Sequence, residues 1–325
     1  MVYNRAQHTP HTIGVQVCSF RRPASLLRLL DALTKQTRAP DDVVIVLRDE
    51  DIASQQAVAQ RPDDGLPVRT VIVTAVGTVH ALNSGLEVAK ADVICITDDD
   101  TAPWPRWLEI ILDHFQADPT LGGLGGRDWM HENGQRDEGM HDVVGQVQWF
   151  GRVIGNHHHG HGAPRTVGVL KGANMSYRTE AIRPLRFDDR LRGTGAQPSE
   201  DLNFSMLVNR SGWKLVYDPA AAVEHYSGER SEPRHYSGIS KKVDHKGLMT
   251  FAHNEAVSLL TGLPTIPRCA AFIAFSIFVG TKVSPGLLQA VMLTPRLGRA
   301  SWSRFLAIQR GKAAGLKTAL FNRRA

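Results

Sequence analysis

The densest chemistry in this chain of 325 residues is Thr97-Asp98-Asp99-Asp100, which closes a β-rich apolar run and stands just before Pro103. Three adjacent carboxylates repel one another and are tolerated only when solvated or neutralised by a cation. Hard divalent ions such as Mg2+ and Mn2+ prefer carboxylate oxygens and keep coordination positions open for waters and phosphates. A cation held here is placed to bridge to a diphosphate; the plainer reading is an acidic loop capping the helix that follows. A second acidic pair, Glu200-Asp201, opens the helical pattern Leu202, Phe204, Met206, Leu207, where carboxylates are natural residues of a helix N-terminus.

The elements that must position these groups follow from periodicity. Short β-rich runs at Ile13 to Cys18, Val43 to Leu47, Val68 to Val73 and Val93 to Thr97 alternate with helical patterns, which predicts a mostly parallel sheet covered by helices. Pro23 opens the first helix, with Leu26, Leu27, Leu29, Leu30 and Leu33 as its apolar side. Further helices are expected near Ile52 to Gln60 and Val79 to Ala89. Such an open sheet binds ligands beyond the carboxyl ends of its strands. After Asp100 the pattern is looser: a helix over Trp104 to Phe115, a Gly-rich strand over Leu121 to Gly126, and loop composition over Asp128 to Ala163. A second compact stretch, Val167 to Tyr226, carries a helix starting near Ser199 and a strand at Trp213 to Tyr217.

Composition narrows the function. Hydrophobic residues make up 42% of the chain, enough for a substantial core. The net charge of +6 is unevenly spread: no Asp or Glu follows Glu255, whereas ten of the 38 Lys and Arg do, leaving 28 basic against 32 acidic residues over residues 1–255. That mildly acidic body lacks the basic, aromatic-interleaved groove of a nucleic-acid binder, so no nucleic-acid partner is expected. The basic, apolar tail suits an anionic membrane surface. Cys18, Cys95 and Cys269 have no zinc or disulfide spacing, and the polar start Met1 to Thr12 does not read as a leader, which together predict a cytoplasmic protein, peripheral on the inner face of the cell membrane.

Several segments, in order, resemble the family 2 glycosyltransferases of GT-A fold. They are Val17 to Pro23, Val44 to Asp49, Ala81-Leu82-Asn83-Ser84-Gly85, Ile94 to Asp100, Lys171 to Arg178, Glu200-Asp201-Leu202 and Ala222-Val223-Glu224-His225. The resemblance implies an α/β GT-A catalytic domain over 1–230, with a nucleotide-binding half (12–100) and an acceptor half (101–230), followed by a helical C-terminal appendage over 231–325. It also implies an inverting transfer of a sugar from a nucleoside diphosphate, a UDP-sugar in the first place and a dTDP- or GDP-sugar otherwise, to a glycan or lipid-linked acceptor.

By the same resemblance Ser19, Phe20, Arg21 and Asp49 hold the base and ribose, and Asn83 sits beside the diphosphate. Asp98 and Asp99 serve the donor, while Asp100, Asp98 and His225 hold a divalent cation, Mn2+ or Mg2+. Asp201, seconded by Glu200, is the general base that takes the acceptor's proton, and Gly172, Ala173 and Asn174 line the acceptor side. The chain departs from the usual pattern at Arg48-Asp49, where two acids are common, and at Leu82, where a basic residue often precedes the asparagine. The run Asn156 to His161 invites a metal reading, but adjacent histidines lack converging spacing, so a mobile loop covering the acceptor is expected. Trp104, Trp129 and Trp149 are candidates for stacking on sugars, although lone tryptophans more often serve the core.

In the tail, two uncharged runs, Cys269 to Thr281 and Val283 to Pro295, each fall short of the roughly 20 residues a spanning helix needs. A surface-lying or re-entrant hairpin is expected. Trp302, Phe305, Leu306, Leu316 and Leu320 then alternate with Arg304, Arg310, Lys312 and Lys317, either as an interfacial helix or as one packed on the catalytic domain. Two rival functions remain at this level: a sugar nucleotidyltransferase, for which Phe20-Arg21-Arg22-Pro23 is a poor phosphate loop, and a non-catalytic glycan-binding protein with a decayed site.

Overall fold

A computed structural model describes residues 9–226 and 242–321. The boundary expected at 230 lies outside them. The first half alternates strand and helix: β1 (Ile13–Ser19), α1 (Pro23–Leu33), β2 (Asp42–Arg48), α2 (Ile52–Ala59), β3 (Val68–Val73), α3 (Thr78–Val88) and β4 (Val93–Asp98). β5 (Thr101–Pro103), α4 (Trp107–Ala117), β6 (Leu121–Glu132), β7 (Gln135–Arg136), β8 (Gln146–Val147), β9 (Val153–Ile154) and β10 (Arg165–Thr166) follow. The remainder is β11 (Asn174–Arg178), α5 (Thr179–Ile182), α6 (Glu200–Arg210), β12 (Lys214–Tyr226), α7 (His245–Gly262), α8 (Ile266–Phe278), α9 (Leu287–Leu297) and α10 (Arg299–Phe321).

The main sheet runs β10-β12-β6-β11-β4-β1-β2-β3. β1, β2, β3 and β4 are mutually parallel, β6 is parallel to β12, and β11 joins the two groups by pairing antiparallel with both β4 and β6. Strands covered on both faces read as near-continuous apolar runs, and β1 and β2 do. α1 lays Leu26, Leu29, Leu30 and Leu33 on one face, completing a core with Val15, Val17, Ile45, Trp107 and Phe115. Strand order reverses at β1, with β2 on one side and β4 on the other. That switch point is where an open α/β sheet leaves a crevice for a ligand.

The expected helix at Trp104 begins at Trp107 instead, because Pro103 and Pro105 hold the chain extended long enough for β5 to pair with β12. The Gly-rich strand extends six residues past Gly126, into sequence that had read as loop. Its glycines have a steric cause: a Cβ at Gly122 would lie 2.4 Å from Trp213, and one at Gly126 would lie 1.5 Å from the Ala221 carbonyl oxygen. Ala221 belongs to the irregular stretch between Asp218 and Val223, where β12 shifts register against β6. Only glycine lets the two backbones approach there, and this approach sets how Asp128 and His225 face each other further along the pair.

The C-terminal helices pack on the catalytic domain through α7. α10 meets α7 along small residues: a Cβ at Gly311 or Gly315 would come within 2.5 Å of the Met249 or His253 carbonyl oxygen. The small-residue face therefore turns inward. Arg304 and Lys312 are buried, whereas Trp302, Leu306 and Leu320 are exposed, the reverse of a simple amphipathic pattern. α8 and α9 are two short helices that leave Ile277, Phe278, Leu287, Leu288, Val291 and Met292 exposed.

Candidate active site

The acid triplet stands at the tip of β4, beside the end of β1, at the sheet's switch point. Asp99 and Asp100 are 4% and 3% exposed, so their charge is met by protein groups. The Ser19 hydroxyl donates to Asp99 (2.7 Å), and Arg22 Nη1 donates to Asp99 Oδ1 (2.9 Å) and Asp100 Oδ2 (3.1 Å). Burial pushes the Asp99 carboxyl up to about 6, against the pull of Arg22 and Ser19. Burial would lower the Arg22 guanidinium, but Asp99 and Asp100 outweigh it and hold the group above its ordinary value.

His225 arrives from β12. Antiparallel pairing sets His225 opposite Thr101, and the Tyr226 amide donates to the Asp100 carbonyl (2.8 Å), so the short β5 and the end of β12 bring the imidazole to the acids. His225 Nε2 lies 3.2 Å from Asp100 Oδ1 and Nδ1 lies 3.4 Å from Asp128 Oδ2. Asp128, 1% exposed on β6, also receives the Lys171 ammonium. Burial opposes both charges. Even so, the Asp100 and Asp128 carboxylates raise His225 to about 9, and Lys171 and His225 hold Asp128 well below the carboxylate range. A carboxylate behind an imidazole fixes the ring's orientation and which nitrogen faces forward.

One ligand atom each from Asp98, Asp100 and His225 lie within 4.8 Å of one another. Two carboxylates and one imidazole, with a buried carboxylate behind the imidazole, fit a divalent transition ion such as Mn2+. A second group, Asp137, His158 and His159, meets the same distance condition. These histidines sit on a turn clamped by Arg127, which donates to the His158, Gly160 and Gly139 carbonyls, and by the Tyr217 hydroxyl on the His157 carbonyl.

The donor-side residues gather at the ends of β1 and β2. The Phe20 ring lies under the Arg21 and Arg48 guanidinium groups, at 4.8 and 5.8 Å. Arg21 takes a left-handed backbone (φ 57°), with its amide held by Asp51. Asp51 caps α2, which leaves Asp49 exposed beyond the strand. Asn83 spends both ends of its amide on the backbone of Phe187 (3.0 and 2.9 Å), so in this structure it anchors the 185–188 segment.

On the acceptor side Asp201 stands in the first turn of α6, after Ser199 in a left-handed conformation (φ 72°). Its carboxylate accepts from the Gly172 amide (3.1 Å) and the Leu202 amide (2.7 Å). Gly172 thus faces Glu200 and Asp201, whereas Ala173 and Asn174 are buried. The Ala173 carbonyl accepts from Thr97, and the Asn174 amide accepts from Trp107 and donates to Ala221, tying β11 to the β6–β12 irregularity. Trp129 is covered by Arg127 and Arg136, at 3.3 and 4.2 Å, while Trp149 is 65% exposed.

Arg22, Lys171 and Asp128 are site residues that motif reading passes over. Arg22 and Lys171 each lie within a matched segment, without a role assigned there. The only signal for Asp128 is its place two residues after Gly126, on the same face of an extended strand.

Residues 10–239 match the family described as "Glycosyltransferase like family 2", and the chain belongs to that family: it is a glycosyltransferase of GT-A fold. It is 26% identical over 231 residues to the pre-mycofactocin glycosyltransferase of Mycobacterium tuberculosis, a match covering 69% of this chain and 45% of that protein. The chain thus spans about half the length of that relative. It is 22% identical over 227 residues to a glucosyl-dolichyl phosphate glucuronosyltransferase of Haloferax volcanii, covering 66% of this chain and 68% of that one. Among solved structures it is similar to S. aureus TarS 1–349 (TM-score 0.57, 15% identity, 96% of this chain and 93% of that one). It is also similar to the mannosyltransferase PcManGT from Pyrobaculum calidifontis in complex with GDP-Man and Mn2+ (TM-score 0.51, 15% identity, 98% and 89%). At such identity the structural likeness establishes the fold.

The raised His225 has a consequence for the metal-free protein. Its contribution to stability is complete below the unfolded imidazole value of about 6.5 and is lost as pH rises through about 9. With a chelator present, thermal stability is expected to fall across that window. The His225→Gln variant should lack this component, and parallel curves for the two proteins would contradict it.

Proposed function

We propose that the chain is an inverting, metal-assisted glycosyltransferase that moves a sugar from a nucleoside diphosphate to a glycan or lipid-linked acceptor at a membrane surface. The convergence of Asp98, Asp100 and His225, drawn from two segments distant in sequence onto the sheet's switch point, is the observation that carries this reading. A divalent cation held by those three side chains would neutralise charge developing on a departing diphosphate. The chain's own groups supply the rest. Phe20, flanked by Arg21 and Arg48, offers a flat surface to a base, and Asp49 a carboxylate to a ribose. Ser19 and Arg22 hold Asp99, and so keep the triplet's backbone in place.

Asp201 is the general base. Two backbone amides orient its carboxylate without supplying a counter-charge, so it can take the proton of an acceptor hydroxyl as that oxygen attacks the anomeric carbon. One displacement of this kind inverts the centre. Gly172 leaves room for the acceptor beside the carboxylate.

Membrane association rests on the tail. Among the described residues no helix is long and apolar enough to cross a membrane. The exposed apolar face of α8 and α9 instead shares its stretch of sequence with Lys282, Arg296 and Arg299 and with no Asp or Glu. Such a face suits the headgroup layer of an anionic bilayer.

Thermal shifts with UDP, GDP and dTDP should show one nucleotide stabilising the protein only when Mn2+ is present, an effect lost in Asp100→Ala. Asp201→Asn is expected to keep that shift while turnover falls by about 10²–10⁴-fold; turnover near the native rate would remove Asp201 from the role. In flotation assays the protein should rise with phosphatidylglycerol vesicles and not with phosphatidylcholine. Leu288→Asp/Met292→Asp should stay behind, and equal flotation of this variant would place the contact elsewhere.

A further inference from the structure

A cavity of about 730 Å3 lies between α7, α8, α10, the β8–β9 turn and the α8–α9 connection. This is the size of a site for a small organic ligand. Its apolar walls are Phe251 of α7, Phe272 and Phe275 of α8, Val279 just past the end of α8, and Val283 of the connection. Ser199 and Leu202, which flank Glu200-Asp201 in sequence, line its other side, so the cavity lies next to the start of α6.

Besides the neutral Ser199, Thr281 and Gln289, the charged groups fall into two sets. Glu255 and Lys312 pair with each other at 3.2 Å, and Ser284 and Ser276 complete their hydrogen bonds, so this pair is internally neutral. Arg152 and Lys282 also line the cavity, are exposed, and form no ion pair among the described residues. An apolar chamber with two free cations at its mouth complements an amphiphile with an anionic head. Val279 lines the cavity and is also 38% exposed beside Ile277 and Phe278, so a chain too long for the chamber has an apolar path outward along α8.

We infer that this cavity receives the aglycone of the acceptor, a lipid phosphate, with its hydrocarbon among Phe251, Phe272 and Phe275 and its phosphate at Arg152 and Lys282. The assignment deepens the proposed function and rests on it, since the acceptor hydroxyl must reach Asp201.

Isothermal titration of the full chain with farnesyl phosphate, farnesol and inorganic phosphate, the lipids kept below micelle-forming concentrations, tests it. Farnesyl phosphate should bind saturably, and inorganic phosphate should neither bind nor compete. Val279→Trp, a partly exposed position chosen to fill the chamber while sparing the fold, should weaken farnesyl phosphate about tenfold or more. Arg152→Glu/Lys282→Glu should weaken farnesyl phosphate similarly and leave farnesol unchanged. Absence of saturable binding, or equal affinity in Val279→Trp, would overturn the cavity assignment; equal affinity in the charge-reversed variant would overturn the phosphate. Nucleotide shifts with Mn2+ on the same samples separate the two readings: if they persist while farnesyl phosphate fails, the cavity assignment alone falls. If farnesyl phosphate binds as described while the nucleotide shifts are absent, the transferase reading falls.

Discussion

The structure around the site depends on keeping acidic groups together at one buried place. Asp99, Asp100 and Asp128 are almost wholly removed from water, and Asp98 stands beside them at the end of β4. Unpaired buried carboxylates are too costly to keep, so each has a counter-charge or donor from another element. Arg22 follows β1, Lys171 precedes β11, and His225 comes from β12. The cluster is thereby charge-matched but not inert. His225 is held protonated by the same carboxylates that are suited to coordinate an ion, so a cation that binds there must displace a proton.

The fold makes this arrangement possible through irregularity rather than ideal geometry. β1 and β4 meet where strand order reverses, which exposes their tips to a crevice. β6 and β12 are closely packed at Gly126, and beyond the register shift between Asp218 and Val223 Asp128 pairs with Val223, which leaves His225 two residues further along β12 with its ring within reach of the Asp128 carboxylate. Asn174 ties β11 to the same irregularity, bracing the strand that follows Gly172. The tail follows a similar steric rule. Gly311 and Gly315 seat α10 against α7, leaving large apolar side chains outside, where a bilayer can meet them.

Much of this was legible in the sequence because local pattern and global role agree there. The parallel strands β1, β2 and β4 are apolar runs covered on both faces, and the acid triplet stands at a strand end that the pattern marks. Disagreement begins where one residue serves a distant backbone. Asn83, in a donor motif, also holds Phe187, and Arg22, within another matched segment, neutralises Asp99 and Asp100. Asp128 looked like the first residue of a loop because the glycines before it carry no strand propensity. What keeps that segment extended is close backbone packing against β12, a long-range contact no local window contains. For α10 the periodicity was present, but large apolar residues outvoted the small ones that do the packing.

Pulsed electron paramagnetic resonance of the protein loaded with Mn2+, before and after adding its nucleoside diphosphate, addresses the central claim most directly. The account predicts coupling to one imidazole nitrogen, lost in His225→Gln, and new phosphorus couplings once the nucleotide is added. Phosphorus coupling to an ion without the His225 nitrogen, or an ion whose signal ignores the nucleotide, would contradict it.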